Sequence, residues 1–391
     1  METVNKRNDG TELSDILKHQ RKTFLSKKGN LCTDQHKAYR DIISCRTSKM
    51  GSHTLTCNTC GDTRTSYNSC RNRHCPKCQY VKQLIWVEKL KCRLLPVRYF
   101  HIVFTVPEFL KPLFYLNQRE CYRMLFASSA LAVKKAASNP AFLGVESGCL
   151  SVLHTWGQSL NYHPHIHMLV PAGGPDPDHM EWVAANKKFF VPVKALAGIF
   201  RGVFMEKLRK ALAERVLRLP ENQMELFTDG KLLNKAAYEK IWHIHIKKTF
   251  RGAGQVLAYL GRYTHRVAIS NSRILDTDGK TVKFRWKDYR DGRQKTMELS
   301  CGEFIRRFMQ HILPNGFYKI RYYGILASAN SKTVMEECFR LLSRIRTLSP
   351  FEGLSTYELL ENIMGEEIFS CSACKTGKMV FGLPEGKGKE P

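Results

Sequence analysis

Acidic residues are scarce in this 391-residue chain: 35 Asp and Glu stand against 62 Lys and Arg, a formal net charge of +27. Such a deficit disfavours acidic or general solvating roles and points to a polyanionic partner. Long apolar runs are also missing, and nothing approaches the roughly 20 residues that span a bilayer, so a membrane is the weakest of the polyanionic candidates. The opening METVNKRNDGTELSDILKHQRK has neither an apolar h-region nor a small-residue cleavage site, from which a cytoplasmic location is expected. Internal repeats are absent, and low complexity is confined to Gly382–Pro391. With 43% hydrophobic residues the chain can bury a real core, and its length suits about two or three domains.

The positive charge is unevenly placed. Residues 1–100 and 240–325 each carry a net +12, residues 101–239 carry +4, and residues 326–391 carry −1. Two basic blocks around a nearly neutral middle suit a nucleic-acid groove assembled from separated parts of the chain. Five segments are expected: a basic helical lead (1–30), a cysteine-rich domain (31–95), a central domain (96–275), a basic accessory region (276–345) and a tail (346–391).

Fourteen cysteines in a reducing compartment are more suited to metal than to disulfides. Cys57-x-x-Cys60 and Cys75-x-x-Cys78 are two metal knuckles, expected to supply four thiolates to one tetrahedral zinc. Cys45, His53, Cys70 and His74 would complete a second, cross-braced zinc site. Arg64, Arg71, Arg73 and Lys77 add phosphate-binding charge to this module. Cys371-x-x-Cys374 reads as half a zinc site.

Strands are expected at Tyr99–Val106, Leu150–Trp156 and Pro164–Val170, the last two as a hairpin, and helices at Lys82–Leu95, Leu110–Ala137, Lys194–Leu219, Gln255–Val267 and Gly302–His311. Val282–Lys287 and Gln294–Leu299 bracket Asp291-Gly292 as a second hairpin. In the segment Tyr162–Leu169 period-two alternation projects His163, His165 and His167 from one face. If Gln158–Asn161 is the turn, His154 falls opposite His165 and supplies a third nitrogen, leaving positions open for substrate. Gln158, His163 and Gln255 are the alternatives for that third ligand, and His243-Ile244-His245 is a lesser rival site. On the helix Gln255–Val267, steps of about 100° place Gln255, Tyr259, Arg262, Tyr263 and Arg266 on one arc. The two tyrosines, at i and i+4, could both reach one metal-bound phosphate, and Arg262 and Arg266 would favour a phenolate.

Three stretches taken together, Tyr67–Cys78, His163–His167 and Tyr259–Arg266, resemble the two-tyrosine rolling-circle transposases of bacterial insertion sequences, members of the His-hydrophobe-His (HUH) endonuclease superfamily with an N-terminal zinc-binding domain. The resemblance implies an α+β fold, an antiparallel sheet flanked by helices, with an N-terminal zinc module and a basic, β-containing C-terminal region. It implies structural Zn²⁺ and a catalytic Mg²⁺ or Mn²⁺ held by His165 and His167. It further implies Tyr259 and Tyr263 as nucleophiles assisted by Arg266, a 5′-phosphotyrosine intermediate, and single-stranded DNA with a hairpin at the element end as substrate. The final segment is a candidate for end recognition or for a homodimer contact. A non-catalytic zinc-dependent nucleic-acid-binding regulator and a water-activating metallonuclease are the competing readings.

Overall fold

The computed structural model describes residues 11–26, 31–91, 93–185, 190–250, 261, 268–288, 290–346 and 351–381. Strands run β1 (Ser52–Cys57), β2 (Thr63–Tyr67), β3 (Tyr99–Thr105), β4 (Gly148–Trp156), β5 (Tyr162–Pro171), β6 (Gly173–Pro175), β7 (Trp182–Ala184), β8 (Ile244–Phe250), β9 (Ile274–Thr277), β10 (Thr281–Lys287), β11 (Gln294–Ser300), β12 (Ile320–Gly324) and β13 (Met379–Phe381). The chain divides into two compact units, each assembled from separated stretches: Met1–Lys89 with Gly261–Ile312 and Ser349–Pro391, and Leu90–Leu260 with Leu313–Leu348.

The second unit is built on a five-stranded antiparallel sheet in the order β12-β4-β5-β3-β8. Alternation explains its two faces. Phe100, Ile102 and Phe104 of β3 and Ile166, Met168 and Val170 of β5 are fully buried in one apolar cluster. That cluster includes Tyr122, Leu125 and Val133 of the helix Gln118–Ala137, and Phe200, Phe204 and Leu208 of the helix Val193–Ala213. Phe114 and Phe204 stack at 6.0 Å, and Trp242 meets Phe200 edge-on at 5.3 Å, so the helices are seated by aromatic packing as well as by area. The architecture is thus mixed α and β, with antiparallel sheets flanked by helices.

One expected helix is divided. Instead of one helix over Leu110–Ala137, a short helix Lys111–Leu116 is followed by Gln118–Ala137, with Asn117 at φ −125° and ψ 47° between them. The Asn117 amide donates to the carbonyls of Leu113 and Arg218 and accepts from the Arg218 N–H, so its side chain pins the junction beside the backbone bond its own N–H makes to Leu113. The helix expected over Lys194–Leu219 stops at Ala213, where Arg215 takes a positive φ of 54°.

The first unit contains two smaller sheets, β13-β1-β2 and β11-β10-β9. Residues 11–26 of the basic lead belong to it: Leu13, Ile16 and Leu17, spaced i, i+3 and i+4 on the helix Leu13–His19, are buried. Gln20 donates to the Gly279 carbonyl at 2.6 Å and Gln35 to the Met309 carbonyl at 2.9 Å, tying the N-terminal helices to residues more than 250 positions away. Among the described residues no helix is long and apolar enough to cross a membrane.

Candidate metal centres

Three clusters of ligand-type side chains stand out among the described residues, each with its donor atoms within 4.8 Å of one another. The first joins His154, His165 and His167. In the central hairpin, β4 and β5 pair so that His154 lies directly opposite His165 and Val152 opposite His167. The three imidazoles therefore share the face opposite the helix-covered one. His154 and His165 are buried and His167 is half-buried.

Hydrogen bonds orient the rings. His165 Nδ1 faces its own strand, 2.6 Å from the His163 carbonyl, which makes it the N–H nitrogen and leaves Nε2 with the lone pair. His167 Nδ1 lies 2.8 Å from His101 Nε2, so its Nε2 is likewise turned inward, 3.0 Å from His165 Nε2. Two lone-pair nitrogens facing each other at that distance repel unless a proton or a cation sits between them. Burial keeps the rings neutral. It holds His165 down to about 3, helped by His163, and holds His167 well below the usual imidazole value, helped by His154 and His165. Neutral imidazole is the form that ligates metal.

His101 belongs to no motif in the sequence. It is buried, lies nearly coplanar and edge to edge with the His167 ring with centroids 5.0 Å apart, and is held down to about 3, first by burial and then by Lys247 and His245. Its one signal is that of a lone histidine in an otherwise apolar strand, Tyr99-Phe100-His101-Ile102-Val103-Phe104. It holds the His167 ring from behind, as the partner of a metal-ligating histidine would. The rival His245 lies on β8, opposite Val103, with β3 between it and His167. Two strand spacings, about 10 Å, keep it out of the cluster. Tyr259, Tyr263, Arg266, Arg262 and Gln255 fall outside the described residues.

The other two clusters are cysteine quartets: Cys45 with Cys70, Cys75 and Cys78, and Cys57 with Cys60, Cys371 and Cys374. This corrects the expected grouping, in which Cys57 and Cys60 shared a metal with Cys75 and Cys78. The reason is the β1–β2 hairpin. Its turn carries Cys57 and Cys60, whereas its open end, where Ser52 pairs with Tyr67, leads to Cys45 and Cys70. Five to six residues at roughly 3.4 Å each hold the two ends nearly 20 Å apart. The expected ligands His53 and His74 join neither quartet. His53 pairs with Asn68 Oδ1 at 3.1 Å and packs on Phe381, while His74 is buried against Asn72 Oδ1. Cys45 caps the helix Thr33–Ser44, and its Sγ lies 3.3 Å from Cys78 Sγ, which is 3.5 Å from Cys70 Sγ. Four sulfurs this close suit a thiolate-bound zinc.

A cysteine-bound metal module joined to a sheet with a three-histidine site defines a metalloprotein that handles a polyanion, and the comparisons narrow this class. Residues 16–106 match the family described as "Transposase zinc-binding domain" and residues 148–333 the family described as "Putative transposase". The chain is 40% identical over 386 residues to "Putative transposase y4qJ" of Sinorhizobium fredii, covering 95% of this chain and 94% of that protein. It is 29% identical over 361 residues to "Transposase for insertion sequence element IS801" of Pseudomonas savastanoi pv. phaseolicola, covering 91% and 85%. No solved structure matches. The chain belongs to this family of insertion-sequence transposases, with its N-terminal zinc-binding domain.

Proposed function

We propose that this transposase nicks and rejoins single-stranded DNA at insertion-sequence ends through a covalent 5′-phosphotyrosine, in a rolling-circle type of transposition. The observation that supports this reading most is the inward-facing triad His154, His165 and His167 on adjacent strands. Three imidazoles can hold a divalent cation, Mn²⁺ more readily than the oxygen-preferring Mg²⁺, and leave coordination positions for a phosphate. When bound there, the cation supplies positive charge that polarises the scissile phosphate. The chain's own groups then divide the work. His154, His165 and His167 would hold the cation and so set where the phosphate sits, and His101 holds the His167 ring in place. The phenolic oxygen of Tyr259 or Tyr263 attacks phosphorus; the Oη–P bond forms, the P–O3′ bond breaks, the phenol loses its proton and the 3′ oxygen gains one. Arg266 stabilises the phenolate and the developing negative charge. The bond energy is kept in the phosphotyrosine, so a 3′-hydroxyl can reverse the step without ATP, and two tyrosines permit two successive transfers.

The substrate of this reading is single-stranded DNA carrying a hairpin at the element end, with a homodimer as the assembly that would hold two ends. The test mixes the full chain with a labelled end oligonucleotide and Mn²⁺ and seeks an adduct that survives SDS. An adduct abolished by Tyr259→Phe/Tyr263→Phe supports the reading. Cleavage without an adduct would assign the chemistry to water, and binding without cleavage across the element's ends would assign the chain to regulation.

A further inference from the structure

The second cysteine quartet is made by two stretches at opposite ends of the sequence. Cys57 Sγ lies 3.7 Å from Cys374 Sγ across 317 positions, and Cys60 Sγ lies 3.8 Å from Cys371 Sγ across 311. A disulfide needs about 2.05 Å. Four thiolates around zinc at about 2.3 Å have tetrahedral edges near 3.8 Å, the spacing found here.

The two C-x-x-C turns are built alike. Gly61 N–H donates to the Cys57 carbonyl as Lys375 N–H does to the Cys371 carbonyl, at 3.2 and 3.0 Å, and both Gly61 and Lys375 take positive φ. Cys57 N–H donates forward to the Asp62 carbonyl and Cys371 N–H to the Gly377 carbonyl, both at 2.8 Å. Each turn also aims backbone donors at sulfur. Thr59 and Cys60 N–H point at Cys57 Sγ (3.4 and 3.5 Å), and Gly377 N–H points at Cys374 Sγ (3.2 Å). Such donors stabilise a thiolate and have little use beside a buried thiol. Gly377 passes so close that a Cβ there would meet Cys57 Sγ at 2.4 Å, so only glycine lets the two turns approach.

Backbone pairing continues the junction. β13 adds to the edge of β1, with Leu55 opposite Phe381 and Cys57 opposite Met379. Asn58 and Lys378 exchange hydrogen bonds in both directions, at 3.0 and 2.8 Å. Cys57, Cys371 and Met379 are buried together, packed by Leu55. Cys371 and Cys374 lie beyond both family matches, which end at residues 106 and 333.

We propose that Cys57, Cys60, Cys371 and Cys374 bind one zinc ion as a split zinc ribbon, locking the C-terminal segment onto the β1–β2 hairpin. The segment is then a structural part of the zinc-binding unit and not a tail. One ion closes a loop of more than 300 residues, whose free closure would be entropically costly. The assignment stands independently of the strand-transfer chemistry.

The test is thiol footprinting of the full-length, zinc-loaded chain with iodoacetamide during stepwise chelation, read by mass spectrometry. Cys57, Cys60, Cys371 and Cys374 are expected to be protected in the zinc-loaded protein and to become reactive together, with one midpoint. Alkylation of Cys371 and Cys374 while Cys57 and Cys60 stay protected would overturn the proposal, as would protection that yields to a reductant but not to a chelator. The full-length Cys371→Ser/Cys374→Ser variant should hold one zinc fewer per chain, and its Cys57 and Cys60 should alkylate without chelator. An unchanged zinc content would overturn the proposal. If the variant folds poorly, the footprint of the unaltered chain decides.

Discussion

The cysteine quartets of the first unit and the histidine triad of the second solve different electrostatic problems. Four thiolates around a divalent cation leave a net charge of about −2 and no open position, which suits a staple and repels phosphate. Three neutral imidazoles leave the full +2 and vacant positions, which suits a polyanionic substrate. Their settings differ accordingly. The cysteines sit in tight turns whose backbone donors face sulfur, whereas the histidines stand on the rigid centre of a five-stranded sheet, oriented by a carbonyl and by another histidine. In the function proposed above, metal in the first unit would therefore belong to folding and metal in the second to chemistry.

The sharpest way to break that comparison is to remove metal from both regions at once. Structural zinc in small modules contributes on the order of 10 kcal/mol or more to folding. Chelation of the full chain should therefore abolish amide-exchange protection in β1 and β2, while β3, β4 and β5, held by their apolar core, stay protected. Equal loss in both sheets would deny the division. Next in size is His165→Ala. Loss of a direct ligand should lower strand cleavage by roughly 10³-fold or more with only a modest change in melting temperature. A collapse in stability would instead make the triad structural.

His101→Phe sharpens the same contrast from behind the site. Phenylalanine keeps an aromatic ring beside His167 and removes the nitrogen that holds Nδ1. The metal concentration for half-maximal activity should rise about 10- to 100-fold, while the rate at saturating metal should change much less. Both parameters falling together would place His101 at the reacting phosphate itself.

How much of the molecule is legible in its sequence depends on the distance over which contacts form. The histidine register follows from alternation and one short turn, so the sequence alone brings His154, His165 and His167 together. The two knuckles are equally plain as knuckles. Their partners are not, because a C-x-x-C turn carries no address, and Cys57 and Cys60 close on residues more than 300 positions away. His101 is hidden for a related reason: its role depends on β3 lying beside β5, and strand order cannot be read from the alternation of either strand. The buried stripe Leu13, Ile16 and Leu17 is legible as helical spacing but is outweighed by the positive charge around it.

The smallest expected effects concern pH, where two kinds of histidine respond with opposite sign. His101 and His165 are each held to about 3 by burial, against an unfolded value near 6.5. The unfolded chain binds protons there that the folded chain refuses, so their contribution is complete above pH 6.5. It is lost as pH falls toward 3, at roughly 1.4 kcal/mol per group for the first unit below 6.5. His179 is raised instead, chiefly by its hydrogen bond to Glu337 at 2.8 Å and further by Glu146. Its contribution is present below 6.5 and disappears as pH rises through its elevated value, a small effect because its carboxylate partners Glu146 and Glu337 are solvent-exposed in part. Thermal melts without added divalent metal should therefore fall on the acid side in the parent chain. His101→Phe should flatten that acid limb, and His179→Asn should alter only the shallow slope above pH 6.5. If His179→Asn changed the acid limb instead, the depressed histidines would not be what carries the acid sensitivity of the second unit.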